Sequence, residues 1–189
     1  MEKAVLLLSG GFDSAVAGKM LLDKGFEIHC VHFSYEPFTG PEPEQKVRKL
    51  VKHLKFKSLK VIKIAKKLEE ISKKTERKYY FVLTKRLMLK LAEKEAKKLK
   101  AKYLVTGANL AQVSSQTLEN LSVIDKAVTL PVLRPVLTFE KQEIVDKARV
   151  LGTYDISAGP EVCDVLGPKH PTTIADLDAV LEEEKKLKF

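Results

Sequence analysis

The sequence predicts an α/β fold, a doubly wound parallel sheet of five strands with helices on both faces. Three observations lead there. Short, buried-looking apolar runs alternate with longer segments of helical period. The first run ends in a glycine turn that opens directly into a helix. The chain has 189 residues, enough for one domain with a sizeable core.

The elements follow in order. Ala4–Leu8 reads as a short buried strand running into Ser9-Gly10-Gly11. Ala15 to Leu22 has helical spacing, with Val16 and Met20 on one face, and Gly25 stops it. Phe26–Phe33 reads as a second strand, and Ser34–Pro43, with Pro37, Gly40, Pro41 and Pro43, as a loop. Glu44–Leu54 is predicted helical and Leu59–Ile64 a third strand. A long amphipathic helix is expected over Tyr80–Lys98, its apolar face marked by Leu83, Leu87 and Leu91. Tyr103–Thr106 is a fourth strand ending at Gly107, and Val132–Leu133 starts a fifth. Phe139–Leu151 is a helix stopped at Gly152, and Ala175–Leu187 a terminal helix carrying the acidic patch Glu182 to Glu184. In such a sheet, ligands sit at the carboxyl ends of the strands. That rule selects Ser9–Ser14, His32–Tyr35, Thr106–Gln116 and the stretch after Leu133.

Composition narrows the function classes. Hydrophobic residues are 44% and charged residues 31%, which excludes a disordered chain. The apolar runs are far shorter than the roughly 18 residues of a membrane span, and no signal peptide opens the chain. A cytoplasmic protein with no membrane partner is expected. Two cysteines, Cys30 and Cys163, cannot build a disulfide framework. Lys and Arg outnumber Asp and Glu by 34 to 25, a net charge of +9. On charge alone, polyanionic partners and plain surface solvation both remain open.

Ser9-Gly10-Gly11-Phe12-Asp13-Ser14 joins the first strand to the first helix. Two glycines allow backbone to approach a bulky anion, and the helix N-terminus supplies unpaired N–H groups. Asp13 beside phosphate would repel it, unless a divalent cation lies between them. A tight turn with Asp13 as N-cap is the bland reading, and the whole hexapeptide in this position favours phosphate. The loop is neither a Walker A loop, which needs a Lys after its last Gly, nor a dinucleotide fingerprint.

The hexapeptide resembles the SGGxDS signature of the PP-loop ATP pyrophosphatases, which have an adenine nucleotide alpha-hydrolase-like fold. These enzymes split ATP between its α and β phosphates and adenylate a substrate oxygen. The likeness extends through Leu7–Ala17, Val31–Phe33, Thr106–Thr117, Leu133–Pro135, Gly152–Ser157 and Pro168–Pro171. Together these are similar to the catalytic domain of tRNA 4-thiouridine synthetase, the sulfurtransferase also linked to thiamine biosynthesis.

The resemblance implies ATP and magnesium as cofactors, AMP and pyrophosphate as products, and sulfur delivered through a cysteine to tRNA. It places Leu7, Leu8, His32, Phe33, Lys85, Gly107 and Gln116 against the adenine nucleotide, beside Ser9, Gly10, Gly11 and Ser14 of the loop. It gives Asp13 and Lys141 to adenylation and Cys163 to sulfur transfer. Lys85 stands where relatives commonly have Arg. Read as residues alone, His32 is a core or rim histidine and Lys141 an exposed lysine, although a cation in a helix's first turn opposes the dipole. Arg86 shares the functional reading of Lys85, while His29, His53 and Cys30 read as structural. No metal site intrinsic to the protein is expected, magnesium arriving with ATP near Asp13. With no CxxC, the ligand set of an iron–sulfur cluster is lacking.

Against the family pattern, Ala108 and Ala111 replace the usual Glu and Gly, and the loop before Cys163 is about one residue short. The family's THUMP-type RNA-binding region and an added rhodanese-like domain are both expected to be absent. Residues 1–171 are expected to form the PP-loop domain, with 172–189 as a helix packed on it. The expected partners are tRNA, held weakly by this chain alone, a separate RNA-binding subunit, and a cysteine desulfurase or other sulfur donor; an oligomer is compatible. Two further readings stay open beside tRNA thiolation. They are adenylation or sulfur transfer on a non-tRNA substrate, and an ATP-binding module without turnover.

Overall fold

The computed structural model describes residues 1–110, 112–159 and 166–188. Five parallel strands form one sheet: β1 (Lys3–Leu7), β2 (Glu27–Ser34), β3 (Ser58–Lys63), β4 (Tyr103–Val105) and β5 (Val132–Leu133). Their spatial order is β3-β2-β1-β4-β5. The chain therefore moves outward from β1 on one side, then returns and moves outward on the other. The reversal lies between β1 and β4, where a crevice opens at the carboxyl edge of such a sheet. Register is set by pairs such as Leu6 with Cys30 and Leu6 with Val105.

The helices cover both faces. One layer holds α1 (Phe12–Asp23) and α2 (Glu42–Leu54), packed through Ala15, Leu21, Val47 and Leu50 on Leu6, Ile28 and Cys30. The other holds α3 (Ala65–Lys74), α4 (Tyr80–Leu99), α5 (Leu118–Asp125) and α8 (Leu177–Lys185). They pack through residues such as Leu68, Leu83, Leu87, Ala92 and Ile124 on Val5, Val31 and Leu104. Side chains on a strand alternate faces, so Val5 joins one layer while Ala4 and Leu6 join the other. A smaller cluster ties α1 to α6 (Lys141–Val150) through Val16, Ala17, Ile144 and Ala148, and the single turn α7 (Tyr154–Ser157) follows.

All five strands and the long helix lie where the sequence places them, within a residue or two. The terminal helix is shorter than expected, because Asp176 caps it through a hydrogen bond from Ala179 N at 2.9 Å. Sequence reading missed α3, α5 and the single turn α7. In α3, Ala65, Leu68 and Ile71 repeat every third residue, and in α5 the Thr117 side chain accepts from Asn120 N. Both signals were present but brief.

The reading of Arg86 needs correction. Although it adjoins Lys85, it points away from the crevice and is 1% exposed. Its guanidinium donates to both carboxylate oxygens of Glu184, at 2.8 and 3.0 Å, and to the Val123 carbonyl. On a helix, consecutive residues are about 100° apart, so one can face a site while the next faces the core. The pair locks α8 onto α4, and Lys90 adds a second bond to Glu184 at 2.9 Å. The C-terminal acidic patch is therefore structural at this residue.

Candidate active site

A cavity of about 380 Å³ opens at the carboxyl edge of the sheet, where the strand order reverses. Its floor is the end of β1 and the glycine loop. Gly10 has φ +99°, a left-handed conformation that permits the chain to turn sharply after Ser9. Gly11 then caps α1 with no side-chain bond of its own, so among the described residues the N–H groups of Phe12, Asp13 and Ser14 have no capping side chain. Ser14 is buried and shapes the loop: its hydroxyl donates to the Gly11 carbonyl at 3.2 Å and lies 3.1 Å from the Ser9 hydroxyl. Asp13 is not the N-cap; it sits in the first turn of α1, its carboxylate partly exposed.

The loop is backed from across the crevice by Gly107. A Cβ on Gly107 would lie 2.4 Å from Ser14 N and 2.6 Å from Asp13 C. The end of β4 and the start of α1 are thus in backbone-to-backbone contact, and any side chain at 107 would part them.

Lys141 opens α6 and reaches across to Asp13, with Nζ at 3.3 and 3.4 Å from the two carboxylate oxygens. The Asp13 charge offsets the unfavourable position of a cation at a helix N-terminus. Lys141 also lies 6.0 Å from the Phe12 ring centroid, and Phe12 stacks on Tyr154 of α7 at 5.3 Å. This gives the Gly152–Ser157 motif a place, as a buttress behind the loop.

Leu7, Leu8, Ser9, Gly11, Asp13, Ser14, His32, Phe33, Lys85, Gly107 and Gln116 all line the cavity. Gly10 shapes the loop without lining the wall, and Lys141 stands outside it, tied to Asp13. Cys163 lies outside the described residues. His32 is 4% exposed, and its Nδ1–H donates to the Leu8 carbonyl at 3.0 Å. Burial pushes its pKa below the usual value, so the ring stays neutral at pH 7, with Nε2 free of the proton. Gln116 contributes a buried Oε1 that has no partner among the described residues. Apolar side chains from α4 and α5, Met88, Leu89, Leu121 and Ile124, complete a slot suited to a flat heterocycle.

Sequence reasoning missed Arg134, although the Leu133–Pro135 motif contains it. It lines the cavity at the end of β5, its side chain 10% exposed and bound to both carboxylate oxygens of Asp125. Nothing in the local sequence shows that Asp125, nine residues earlier, would neutralise it. Asn109 was also passed over; its amide donates to the Val136 and Phe139 carbonyls at 2.8 and 2.6 Å and anchors the loop after Gly107 to the segment entering α6.

Cys30 is buried in β2, and burial pushes its thiol far above the ordinary range. His29 is bonded to Glu27 and Ser58 at the amino ends of β2 and β3, away from the cavity. Among the described residues no group of three or more His, Cys, Asp or Glu could hold a metal.

A strand–glycine loop–helix cradle at the reversal of a five-stranded parallel sheet defines an α/β domain of the PP-loop class. The chain belongs to the family described as thiamine biosynthesis protein (ThiI), whose model matches residues 1–189. It is 40% identical over 192 residues to a probable tRNA sulfurtransferase of Halothermothrix orenii, covering 98% of this chain and 48% of that one. A similar relative from Caldanaerobacter subterraneus is 39% identical over 193 residues. A crystal structure of a 4-thiouridine synthetase–RNA complex with bound ATP superposes with TM-score 0.93 at 39% identity, over 98% of this chain and 50% of the other. The NMN synthetase of Francisella tularensis superposes with TM-score 0.65 at 14% identity, covering 96% of this chain and 76% of that one, a likeness of fold alone. The chain spans about half the length of the curated relatives it matches.

Proposed function

We propose that this chain is the ATP-dependent adenylating domain of a tRNA-thiolation enzyme, activating a uridine oxygen as its AMP ester and releasing pyrophosphate. The observation that carries the reading is the cradle itself. Gly10 and Gly11 bare the loop, Gly107 braces it, and the α1 N-terminus faces the cavity floor. Such an N-terminus favours phosphate through its N–H groups and dipole. The matched 4-thiouridine synthetase holds ATP and RNA, and its likeness covers nearly all of this chain.

The residues divide the work. The adenosine would occupy the slot walled by Phe33, Met88 and Leu89, with neutral His32 at its rim. Ser9 and Ser14 hydroxyls and the α1 N–H groups would hold the phosphates. The Asp13–Lys141 pair is exposed, so it is worth at most about 1 kcal/mol and opens at little cost. Lys141 would then turn to the departing pyrophosphate as negative charge develops there. Asp13, released, fits a magnesium ion that arrives on phosphate, since Mg²⁺ is commonly held by one or two carboxylates plus phosphate oxygens. When bound, such an ion would neutralise charge on the departing pyrophosphate. The outer sulfur of a donor's cysteine persulfide would then attack the activated carbon and expel AMP, and the Cys163 thiolate would attack the donor's inner sulfur, forming a Cys163–donor disulfide as the thiolated product leaves.

The test is ATP turnover with bulk tRNA, resolving AMP and pyrophosphate. Asp13→Asn should keep the fold and lose AMP formation by about 100-fold or more, the usual scale for a lost electrostatic group. An unchanged rate would refute the assignment. A second reading, activation of an acceptor other than tRNA, is supported by the family's description as a thiamine biosynthesis protein. AMP formation that ignores tRNA would favour it.

A further inference from the structure

We infer that Asn120 is a positioning residue that clasps the cavity turn Ser114–Gln116 to the strap 172–175, coupling nucleotide binding to the order of that strap. The inference rests on the proposed ATP site. Asn120 is the second residue after Leu118, at the start of α5, and is 0% exposed. Its Nδ2 donates to the Ser114 carbonyl at 2.6 Å and to the Thr172 carbonyl at 2.9 Å. Its Oδ1 accepts from Ala175 N at 2.8 Å. One amide thus uses both donors and an acceptor on two segments more than 50 residues apart in sequence. Thr117 adds a parallel bond, its hydroxyl donating to the Thr173 carbonyl at 2.6 Å.

The turn so held carries Gln116, which lines the cavity and whose Oε1 is buried and without a partner among the described residues. An unpaired buried acceptor is costly until a ligand donor meets it. A nucleotide that satisfies Gln116 stiffens the turn, the turn fixes the Ser114 carbonyl, and Asn120 carries that restraint to Thr172 and Ala175. Linkage makes the effect reciprocal: an ordered strap favours nucleotide binding by the same factor. The hydroxyl of a serine could not bridge both segments, and an aspartate would set an oxygen against two carbonyls. A hydrophobic residue would leave the half-buried Ser114 and Thr172 carbonyls and the buried Ala175 amide without this partner.

Hydrogen exchange of the full chain, with and without ATP, reads the coupling directly. ATP should slow exchange at the Ala175 amide by about tenfold, alongside protection of Gly11–Ser14. Asn120→Ala should abolish the Ala175 response, keep that of Gly11–Ser14, and weaken ATP binding by about tenfold, the scale of one to two net hydrogen bonds. A purely structural Asn120 would lower the melting temperature and leave the ATP affinity of the folded variant within twofold of the parent. Should Asn120→Ala fail to fold, Thr117→Val removes the bond to the Thr173 carbonyl and the α5 N-cap from Asn120 N, leaves the three side-chain bonds of Asn120 in place, and should reduce the Ala175 response several-fold. Protection of the glycine loop with no ATP response at Ala175 in the parent chain overturns the coupling. Absence of any ATP response, loop included, overturns the ATP reading and the coupling with it.

Discussion

Replacing Gly107 by alanine is the sharpest test of the cradle, because the added methyl group has nowhere to go. Its Cβ would sit 2.4 Å from Ser14 N, 2.6 Å from Asp13 C and 2.7 Å from Ser14 Cα, whereas ordinary contact begins at 3.4 Å. All three atoms are backbone, so no rotamer change can relieve the clash. The end of β4 must part from the start of α1 by about 1 Å, a displacement that costs on the order of 100-fold when it misplaces groups around a reacting centre. Overpacking of this kind also costs about 1–3 kcal/mol of stability. The N–H of Ser14, one of the α1 donors proposed to hold phosphate, moves with the loop, and a lost charge-assisted hydrogen bond is worth about 1.5–3 kcal/mol. ATP affinity should therefore fall by roughly 10- to 100-fold. Equilibrium titration with ATP, paired with thermal denaturation, separates the two effects. If Gly107→Ala binds ATP within about threefold of the parent while remaining folded, the close approach of β4 is not what shapes the phosphate site.

Other outcomes follow from the same geometry. Glu93 accepts from Thr129 N, Thr129 Oγ1 and Leu130 N at 2.7–2.9 Å and pairs with Lys97. Burial pushes its carboxyl up, but these donors outweigh burial and hold it at about 2 against an unperturbed 4.5. Its stabilisation is therefore present above pH 4.5 and is lost as pH falls toward 2. Glu93→Gln should cost about 1–3 kcal/mol in urea unfolding at pH 6 and much less at pH 3; an equal loss at both would contradict the assignment. Arg86→Met should destabilise the fold by about 2–4 kcal/mol by removing a buried guanidinium and leaving half-buried Glu184 with Lys90 alone, yet leave ATP affinity within twofold once folded. A large loss of ATP affinity at unchanged stability would restore Arg86 to the site. Thiol alkylation with peptide mapping should label Cys163 before Cys30, whose thiol is buried and held in its protonated form; preferential labelling of Cys30 would remove Cys163 from the sulfur-transfer proposal.

Local chemistry explains how much of this could be read from the chain. The strand–Ser9–Gly10–Gly11–helix junction is legible because backbone approach to an anion needs glycine, and glycine is visible in sequence. β1, β2 and β4 are legible because a buried strand reads as a largely apolar run, β3 because its half-buried residues alternate with exposed ones, and the period of α4 marks its core stripe. The strand order was not legible. It depends on whether each crossover passes over one face of the sheet or the other, and it alone brings Gly107 against Ser14, 93 residues apart. Lys85 and Arg86 show the same limit: side by side in sequence and alike in charge, they part because one helix presents one face to a cavity and the other to Glu184. Arg134 and Asn120 gain their roles only from partners far along the chain or in another segment, Asp125, Thr172 and Ala175. Sequence alone determines which groups are able to bind, bend or ionise, because those are properties of single residues and their neighbours. Tertiary structure decides which of them meet, because burial and hydrogen-bond partners are set by packing between elements distant in the chain.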